Sequence, residues 1–297
     1  MIELIGVSKF FGKTKALNGV SINVEDGHIY GLVGSNGSGK STLLRIMSGV
    51  YKADGGKVSL DGKPIFNCPE SKRRISYISD DIYFPAGADL SGASRLYRSA
   101  YEGFDPDLFV SLTKEMGLPL DKSVSTFSKG MKRQAATALA LSVRADYLLL
   151  DETFDGLDPI MKGYVKTIIS REMLDRGASA IITSHSLREL EDTVDKIAFI
   201  HNGDLVLDGD TDAIKNKYAK LQVGFADNYG EERFEGISYR RFRKSGSVCS
   251  MILSEDIEGS VERVRAMSPI ILDVLPLSLE ELFSCELEMR GYCLNES

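Results

Sequence analysis

The first seventy residues show the hydrophobic patterns of short strands arranged around one helix. Residues 2–7 and 20–24 alternate between apolar and polar side chains, and residues 57–60 run directly into an Asp61-Gly62 turn. Alternation is typical of a strand with one buried face, and Asp-Gly between two such runs favours a hairpin. These segments predict an antiparallel β subdomain near the start of the chain.

Strands and helices alternate through the following part of the chain. Residues 28–33 form a compact apolar strand, followed by a glycine-rich stretch and by a helix over residues 43–47. Residues 86–145 look helical, and the apolar runs at 147–150 and 180–183 have the length of buried strands. This order predicts a sheet with parallel strands covered by helices, and therefore an α/β fold.

The character of the chain changes after about residue 217. A basic cluster occupies residues 240–244, and three of the four cysteines lie beyond this point. Ser278 and Glu281 have the spacing of a capping box and precede apolar residues at helical intervals. We expect two domains: residues 1–217, with a helical subdomain at about 86–145, and a small α+β accessory domain at 218–297.

Composition narrows the possible classes of function. The 297 residues carry a net charge of −7, so the chain lacks the basic footprint of a nucleic-acid-binding protein. No run approaches the ~18 apolar residues of a membrane span, and the N-terminus lacks a signal-peptide block, so we expect a cytoplasmic protein. Four cysteines without a CxxC pair and only three histidines argue against a zinc site or a disulfide framework.

The strongest chemical signal is the glycine-rich stretch between the apolar strand and the first helix. It fits the pattern G-x-x-x-x-G-K-[ST] and has the strand before it and the helix after it that the motif requires. In such a loop, backbone N–H groups bind phosphate oxygens, the lysine reaches the β- and γ-phosphates, and the hydroxyl of the last residue binds Mg²⁺. The predicted triphosphate-binding residues are Gly34, Ser35, Asn36, Gly37, Ser38, Gly39, Lys40, Ser41 and Thr42.

A second signal is the carboxylate pair Asp151 and Glu152, which directly follows the apolar run at 147–150. A buried strand that ends in a carboxylate brings it to the edge of the sheet where phosphate and metal bind. We expect Asp151 to bind Mg²⁺ and Glu152 to polarise the attacking water. Taken alone, the pair also fits a core strand that ends in solvated acids, but the phosphate loop favours the catalytic interpretation.

A third signal is the sequence Phe-Ser-Lys-Gly-Met at residues 127–131, just before a predicted helix. With this segment, residues 1–217 resemble an ATP-binding cassette (ABC) ATPase, whose signature normally reads Leu-Ser-Gly-Gly-Gln. Ser128 and Gly130 match that signature, and the resemblance implies that both contact phosphate, although Ser128 equally fits a helix N-cap. The chain departs from the signature at three positions: Phe127, Lys129 and Met131.

Weaker matches follow in the order of the family's motifs. By resemblance, Asp158 belongs to the loop that couples two sites across a dimer, His185 contacts the γ-phosphate, and Phe11 stacks on adenine. Asp158 before a proline also fits a helix N-cap, His185 a solvated histidine, and Phe11 ordinary packing. Where family members carry a glutamine, this chain has Asp80, which we expect to approach Mg²⁺ through an oxygen.

The resemblance implies a P-loop NTPase fold of the ABC cassette type, with a mixed sheet core, an antiparallel β subdomain and a helical subdomain, followed by the α+β C-terminal domain. It implies an ATP-binding and ATP-hydrolysing transporter subunit that forms a homodimer or a heterodimer with a second ABC ATPase. The partners would be separate transmembrane permease subunits, which hold it at the inner face of the cell membrane. Residues 275–283 resemble the tail of bacterial exporter subunits.

Three alternatives are weighed against this interpretation. A soluble ABC ATPase acting on the ribosome or on DNA would carry paired cassettes or long coiled coils, and neither is present. A P-loop GTPase would carry Asn-Lys-x-Asp, whereas Asn216-Lys217 is followed by Tyr218-Ala219. The basic residues 240–244 fit either a solvated hairpin or a surface for anionic lipid or nucleic acid.

Overall fold

The computed structural model describes residues 1–291, and the chain divides into two units between Asp208 and Gly209, a little before the expected boundary at residue 217. The strands up to residue 210 are β1 (Ile2–Phe11), β2 (Thr14–Val24), β3 (Ile29–Val33), β4 (Gly55–Leu60), β5 (Lys63–Pro64), β6 (Ile75–Ile78), β7 (Tyr147–Leu150), β8 (Ser179–Ser184), β9 (Lys196–His201) and β10 (Asp204–Asp210). The helices of this unit are α1 (Lys40–Met47), α2 (Pro69–Arg73), α3 (Leu90–Ala100), α4 (Pro106–Glu115), α5 (Lys129–Ser142), α6 (Pro159–Arg176) and α7 (Leu187–Leu190), with a 3-10 turn at Val124–Thr126.

Two sheets form the frame of the first unit. The smaller sheet has the order β2-β1-β4-β5 and is antiparallel, as the alternating segments predict. The larger sheet has the order β10-β9-β3-β8-β7-β6, and β3, β6, β7, β8 and β9 run parallel in it. Because parallel strands share one carboxyl edge, the residues that follow β3, β7 and β8 meet at the same side of the molecule.

One buried cluster joins the two sheets through α1. Leu43, Leu44 and Met47 on this helix are fully buried in the same cluster as Leu4 of β1 and Leu149 of β7. Burying each such side chain contributes roughly 1.5–3 kcal/mol, so the helix that follows the glycine-rich loop is fixed at a constant position relative to both sheets.

Side-chain caps determine where the longer helices begin. Asp89, Asp105, Ser128 and Asp158 each accept a hydrogen bond from an N–H group in the first turn of α3, α4, α5 and α6, respectively. Such a cap stabilises a helix by about 1 kcal/mol. The N-cap interpretations of Ser128 and Asp158 are thereby confirmed, and the helical region at 86–145 consists of three separate helices.

The described part of the second unit is a four-stranded antiparallel sheet with helices. Its elements are α8 (Thr211–Lys215), a 3-10 turn (Glu231–Phe234), β11 (Ala219–Gly224), β12 (Arg240–Ser245), β13 (Val248–Leu253), α9 (Ile257–Ala266), β14 (Ile271–Leu275) and α10 (Leu279–Met289), with the strand order β12-β13-β11-β14. Phe234 is fully buried in its core. The capping box is present, because Ser278 and Glu281 exchange both expected hydrogen bonds at the start of α10.

The basic cluster forms β12 and pairs with β13 as a hairpin. Arg241 donates to Glu288 at 2.8 Å, and the ammonium group of Lys244 lies 4.1 Å from the centre of the Tyr229 ring. At least part of the cluster is therefore neutralised within the unit. Cys249 and Cys285 are buried free thiols and Cys68 is a half-buried one, whereas Cys293 lies outside the described residues.

Three strands of the large sheet were not predicted: β6, β9 and β10. The Asn202-Gly203 pair between β9 and β10 adopts left-handed backbone angles of 49° and 83°, as a tight hairpin turn requires. The Asn-Gly pair could therefore have predicted a hairpin formed by β9 and β10. In contrast, β6 has only four residues and carries no turn signal of its own.

Of the helices formed by residues 1–291, none is both long enough and apolar enough to cross a bilayer.

We expect Leu149→Ala to lower the free energy of unfolding by about 2–5 kcal/mol, because Leu149 is fully buried where the sheet packs against α1. The matched control is Leu174→Ala in α6, whose side chain is 84% exposed and whose loss should change stability by less than about 0.5 kcal/mol. Urea denaturation of both variants measures the difference. Equal effects of the two substitutions would contradict the assigned core.

Candidate nucleotide-binding site

The glycine-rich loop connects β3 to α1 and has backbone angles that favour glycine. Gly37 and Gly39 have φ values of 76° and 112°, in the left-handed region. At Gly34 a side chain is sterically excluded, since a Cβ there would lie 2.0 Å from the carbonyl oxygen of Ile200. The loop therefore lies against β9 at its start and opens toward the N-terminus of α1, where N–H groups and the helix dipole favour an anion.

Lys40 is the first residue of α1 and is 5% exposed. Its Nζ donates to the carbonyl oxygens of Gly34 at 2.7 Å and Ser35 at 3.2 Å, and it lies 3.6 Å from Oε1 of Glu152. Burial lowers the pKa of Lys40, and the negative charges of Glu152 and Asp151 oppose that shift. The ammonium group is thus held inside the loop, in a position suited to phosphate oxygens.

Asp151 lies directly after β7 and is completely buried. Its Oδ1 accepts hydrogen bonds from Ser41 Oγ at 3.0 Å and from Thr183 Oγ1 at 2.8 Å. Its other oxygen, Oδ2, has no hydrogen-bond partner among residues 1–291. Burial raises the pKa of Asp151, although the two hydroxyl donors lower it. A buried carboxylate oxygen beside a serine hydroxyl is the donor set that Mg²⁺ prefers.

Glu152 follows Asp151 in a strained backbone conformation, with φ at 49°. For a non-glycine residue this costs of order 1–3 kcal/mol, and such strain is concentrated at functional sites. The backbone N–H of Glu152 donates to Thr183 Oγ1 at 2.9 Å, which holds the turn against β8. The carboxylate then contacts His185, whose Nδ1 lies 2.9 Å from Oε2. Glu152 therefore contacts both His185 and Lys40.

Asp80 lies two residues beyond the end of β6 and has a cation as its partner. Arg45 of α1 donates to Oδ1 of Asp80 at 2.8 Å, and Ser79 Oγ donates to the same oxygen at 3.0 Å. Burial raises the pKa of Asp80, but hydrogen bonds from Ser79 and the Asp81 backbone, together with Arg45, outweigh it and leave the pKa lowered. The carboxylate is ionised and lies at the wall of the site.

Phe11 ends β1 and is 46% exposed. Its ring packs edge-on against Tyr51, with 5.6 Å between ring centres, and the Arg45 guanidinium lies 5.8 Å from the Tyr51 ring. Phe11 does not line the cavity that contains Lys40 and Ser41. An exposed aromatic face suits stacking on a flat base, while the Tyr51 contact shows that the packing interpretation also applies.

A cavity of about 500 Å³ brings most of the predicted residues together. It is lined by the following residues: Ala16, Asn36, Gly37, Ser38, Gly39, Lys40, Ser41, Thr42, Asp80, Lys129, Arg133, Glu152, Asp155 and His185. The lining combines cationic groups, loop N–H groups and oxygen ligands, a set that fits a nucleoside triphosphate with Mg²⁺. Ser128, Gly130 and Asp158 are not part of this lining.

Comparison with known proteins identifies the family. A family model described as "ABC transporter" matches residues 17–155. The ABC transporter ATP-binding protein YtrB of Bacillus subtilis is 30% identical over 95% of this chain and 97% of its own length. The daunorubicin/doxorubicin resistance ATP-binding protein DrrA of Streptomyces peucetius is 31% identical over 100% of this chain and 89% of its own length.

The chain belongs to the ABC transporter ATP-binding proteins. It is thus an ABC ATPase whose hydrolysis of ATP powers transport. A solved ATP-binding subunit of an ABC transporter matches 73% of this chain at 26% identity, with a TM-score of 0.67. The dimeric cassette MJ0796, bound to ADP and Pi, shares the fold over 71% of the chain, with a TM-score of 0.64 and 20% identity.

Sequence reasoning missed three charged residues that line the cavity: Lys129, Arg133 and Asp155. Arg133 of α5 is 2% exposed, and its Nη1 donates to the backbone oxygens of Ser79 at 3.2 Å and Asp151 at 3.3 Å. It thus connects the ends of β6 and β7. Burial of an arginine in the first turns of a helix cannot be predicted from the sequence, because arginine is usually exposed there. Only the tertiary structure identifies this role.

We expect Gly34→Ala to displace the phosphate loop, because the added Cβ would overlap the Ile200 carbonyl. The variant should lose nucleotide binding and several degrees of thermal stability. The control is Gly163→Ala within α6, where a Cβ meets no atom within 4 Å and should stabilise the helix by up to about 1 kcal/mol. Thermal unfolding with and without Mg²⁺-ATP measures both effects, and unchanged nucleotide binding by Gly34→Ala would disprove the assigned constraint.

Asp151→Asn should raise the thermal midpoint of the nucleotide-free protein at pH 7. Because burial raises the folded-state pKa of Asp151, ionisation is less favourable in the folded than in the unfolded state. Stability therefore falls as pH rises from the unfolded-state pKa to the raised folded-state pKa. The amide removes that cost but also the charge that suits Mg²⁺. Differential scanning calorimetry should show a higher midpoint without ligand and a smaller rise with Mg²⁺-ATP. The exposed Asp175→Asn serves as control, and a lower midpoint for Asp151→Asn would refute the argument.

Proposed function

We propose that the cavity binds Mg²⁺-ATP with its triphosphate in the glycine-rich loop, and that hydrolysis occurs beside Glu152. The observation that carries this proposal is the convergence of Lys40 and Ser41, at the start of α1, with Asp151 and Glu152, directly after β7. Loop residues 34–42 hold the phosphates through backbone N–H groups and Lys40. Phe11 stacks on the adenine from the end of β1.

Each remaining residue has a role in the hydrolytic step. Mg²⁺, held by Ser41 and Asp151 with Asp80 nearby, would neutralise charge on the phosphate oxygens. Glu152 accepts a hydrogen bond from the attacking water and orients it in line with the bond that breaks. His185, already 2.9 Å from Glu152, holds that carboxylate in place and contacts the terminal phosphate. The strained backbone of Glu152 fixes its direction before the nucleotide binds.

We further propose a dimer in which two cassettes enclose the nucleotide. Ser128 and Gly130 of each chain would contact the ATP bound in the other, and Asp158 would transmit the state of one site to its neighbour. Support comes from the exposure of Ser128 and Asp158, which do not line the chain's own cavity, and from the dimeric cassette with the same fold. Terminal-phosphate contacts to both chains would close the dimer, and hydrolysis would open it.

The partner of this dimer is a pair of transmembrane permease subunits. An apolar groove of about 470 Å³ lies between the end of β6 and α3, and its lining includes Ile82, Tyr83, Phe84, Leu96 and Tyr97. Tyr83 and Leu96 are 83% and 57% exposed. Exposed apolar groups of this kind mark interaction sites, so the groove suits a short helix of a permease and places the ATPase at the inner face of the membrane.

Export is the direction of transport that we favour. The relatives include a drug-resistance protein and the bacitracin transport protein BcrA of Bacillus licheniformis, which is 32% identical over 75% of each chain. The alternative of a soluble ABC ATPase that acts on the ribosome or on DNA has no observation in its favour here. Residues 218–297 act as an accessory domain in this proposal.

Glu152→Gln should bind Mg²⁺-ATP as tightly as the parent protein but hydrolyse it at least about 100-fold more slowly, because the amide cannot accept the proton of the attacking water. Phosphate release measures hydrolysis, and size-exclusion chromatography with ATP should show the trapped dimer. Glu115→Gln, on the exposed face of α4, is the matched control. Hydrolysis by Glu152→Gln at the rate of the parent would exclude the assigned role.

Leu96→Asp should abolish co-purification with the permease subunits while leaving the ATPase rate of the isolated chain unchanged, because Leu96 lines the groove but not the nucleotide cavity. Val110→Asp is the control, since Val110 is a 50% exposed apolar residue of α4 outside the groove. Affinity purification from membranes followed by mass spectrometry gives the readout. If Leu96→Asp still co-purified with the permease subunits, this docking surface would be refuted.

A further inference from the structure

Asp80 adds a carboxylate to a cavity that the proposed function fills with a triphosphate. It lines this cavity together with Lys40 and Glu152. Like charges repel, so an uncompensated carboxylate at the wall opposes the binding of anionic phosphates. The ABC family carries a neutral glutamine at this position, so the problem is specific to this chain. A counter-charge for Asp80 is therefore expected nearby.

Arg45 supplies that counter-charge. Its Nη2 donates to Oδ1 of Asp80 at 2.8 Å. Burial is the main cause of the raised pKa of Asp151; the Asp80 charge adds to this shift and the Arg45 charge opposes it. The two charges thus act on the same buried site residue with opposite sign. Arg45 is not part of the cavity lining, so it acts on the site through Asp80.

Contacts on both sides define the position of this ion pair. Arg45 lies in the last turn of α1, and its carbonyl oxygen accepts hydrogen bonds from the N–H groups of Val50 at 2.8 Å and Tyr51 at 2.9 Å. The guanidinium lies 5.8 Å from the centre of the Tyr51 ring, where a cation is attracted by the aromatic face. Ser79 Oγ donates to the same Asp80 oxygen at 3.0 Å. Tyr51 therefore holds the cation and Ser79 holds the carboxylate.

The exposure of the pair indicates where its loss would be felt. The side chains of Arg45 and Asp80 are 26% and 44% exposed. Such an ion pair contributes little to folding stability, because solvent screens it. A unit of charge at the wall of a cavity has a larger effect on a multiply charged anion that binds there. The loss of Arg45 should therefore change nucleotide affinity more than stability.

We propose that Arg45 neutralises Asp80 and thereby allows this chain to bind a triphosphate beside a carboxylate where the family carries a glutamine. Arg45 is a positioning residue in this scheme, since it acts through Asp80 and does not contact the ligand. The inference rests on the proposed function, because it requires a nucleotide in the cavity. Its effect is measured most directly without Mg²⁺, when the phosphates carry their full charge and no metal lies between them and Asp80.

The test measures the affinity of the full chain for ATP in EDTA, by displacement of a fluorescent nucleotide. Arg45→Met should weaken binding about 10-fold, because the Asp80 charge is then uncompensated. Asp80→Gln should strengthen binding up to about fivefold, because Arg45 then remains as a net positive charge. The double variant lacks both charges and should return to within about threefold of the parent. High salt should reduce the effect of each single substitution.

Two further variants serve as controls. Arg45→Lys keeps the positive charge and should bind ATP within about threefold of the parent. Arg171→Met removes one positive charge from a 51% exposed side chain of α6, outside the cavity lining, and should leave the affinity unchanged. Thermal unfolding of every variant verifies that the fold is retained.

Three results would overturn the inference. An equal loss of affinity in Arg45→Met and in the double variant would show that Arg45 acts through packing or by attracting the nucleotide itself. No gain in Asp80→Gln would show that the Asp80 charge does not act on the phosphates, and this result counts even if Arg45→Met fails to fold. A parent that bound ATP only with Mg²⁺ would show that the carboxylate is not compensated. A parent that bound ATP neither with nor without Mg²⁺ would contradict the proposed function itself, which is a distinguishable outcome.

Discussion

The buried carboxylate of Asp151 is the constraint on which the rest of the site depends. Its Oδ1 oxygen joins the glycine-rich loop, through Ser41, to β8, through Thr183, so three elements far apart in sequence meet at one atom. A charged group in such an environment is unfavourable unless it is compensated, and here one oxygen has no partner among the described residues. The packing of both sheets around α1 supplies the stability that permits this arrangement.

The hydrogen bonds of Asp151 also determine the positions of the groups around it. Thr183 donates to Asp151 and also accepts from the backbone of Glu152, so the same hydroxyl that satisfies the buried charge fixes the strained turn after β7. Glu152 then lies between Lys40 and His185, and its carbonyl oxygen accepts a hydrogen bond from the N–H of Asp155. The strained turn at this position holds the Glu152 carboxylate in one direction, and the packing of the core offsets the free-energy cost of the strain.

Sequence patterns predicted the elements that carry local signals and missed those that depend on tertiary contacts. The phosphate loop, the strand before Asp151 and the helix starts at Ser128 and Asp158 each have a recognisable pattern of glycine, apolar or capping residues. Arg133 and Arg45 are different, because arginine on a helix is usually solvated, yet one is buried across two strand ends and the other pairs with Asp80. β6 was missed because its four residues, Ile-Ser-Tyr-Ile, lack the continuous apolar run that marks the equally short β7.

The apolar groove and the nucleotide cavity are adjacent at the end of β6. Asp80 lines the nucleotide cavity, while its direct neighbours Ser79 and Asp81 line the groove. Arg133 holds this segment by the Ser79 carbonyl and holds the end of β7 by the Asp151 carbonyl. A rotation of this short stretch therefore alters both surfaces at once. If bound nucleotide moves this stretch and so changes the affinity of the groove for its ligand, the two sites are coupled. A ligand in the groove must then change the affinity for nucleotide by the same free energy.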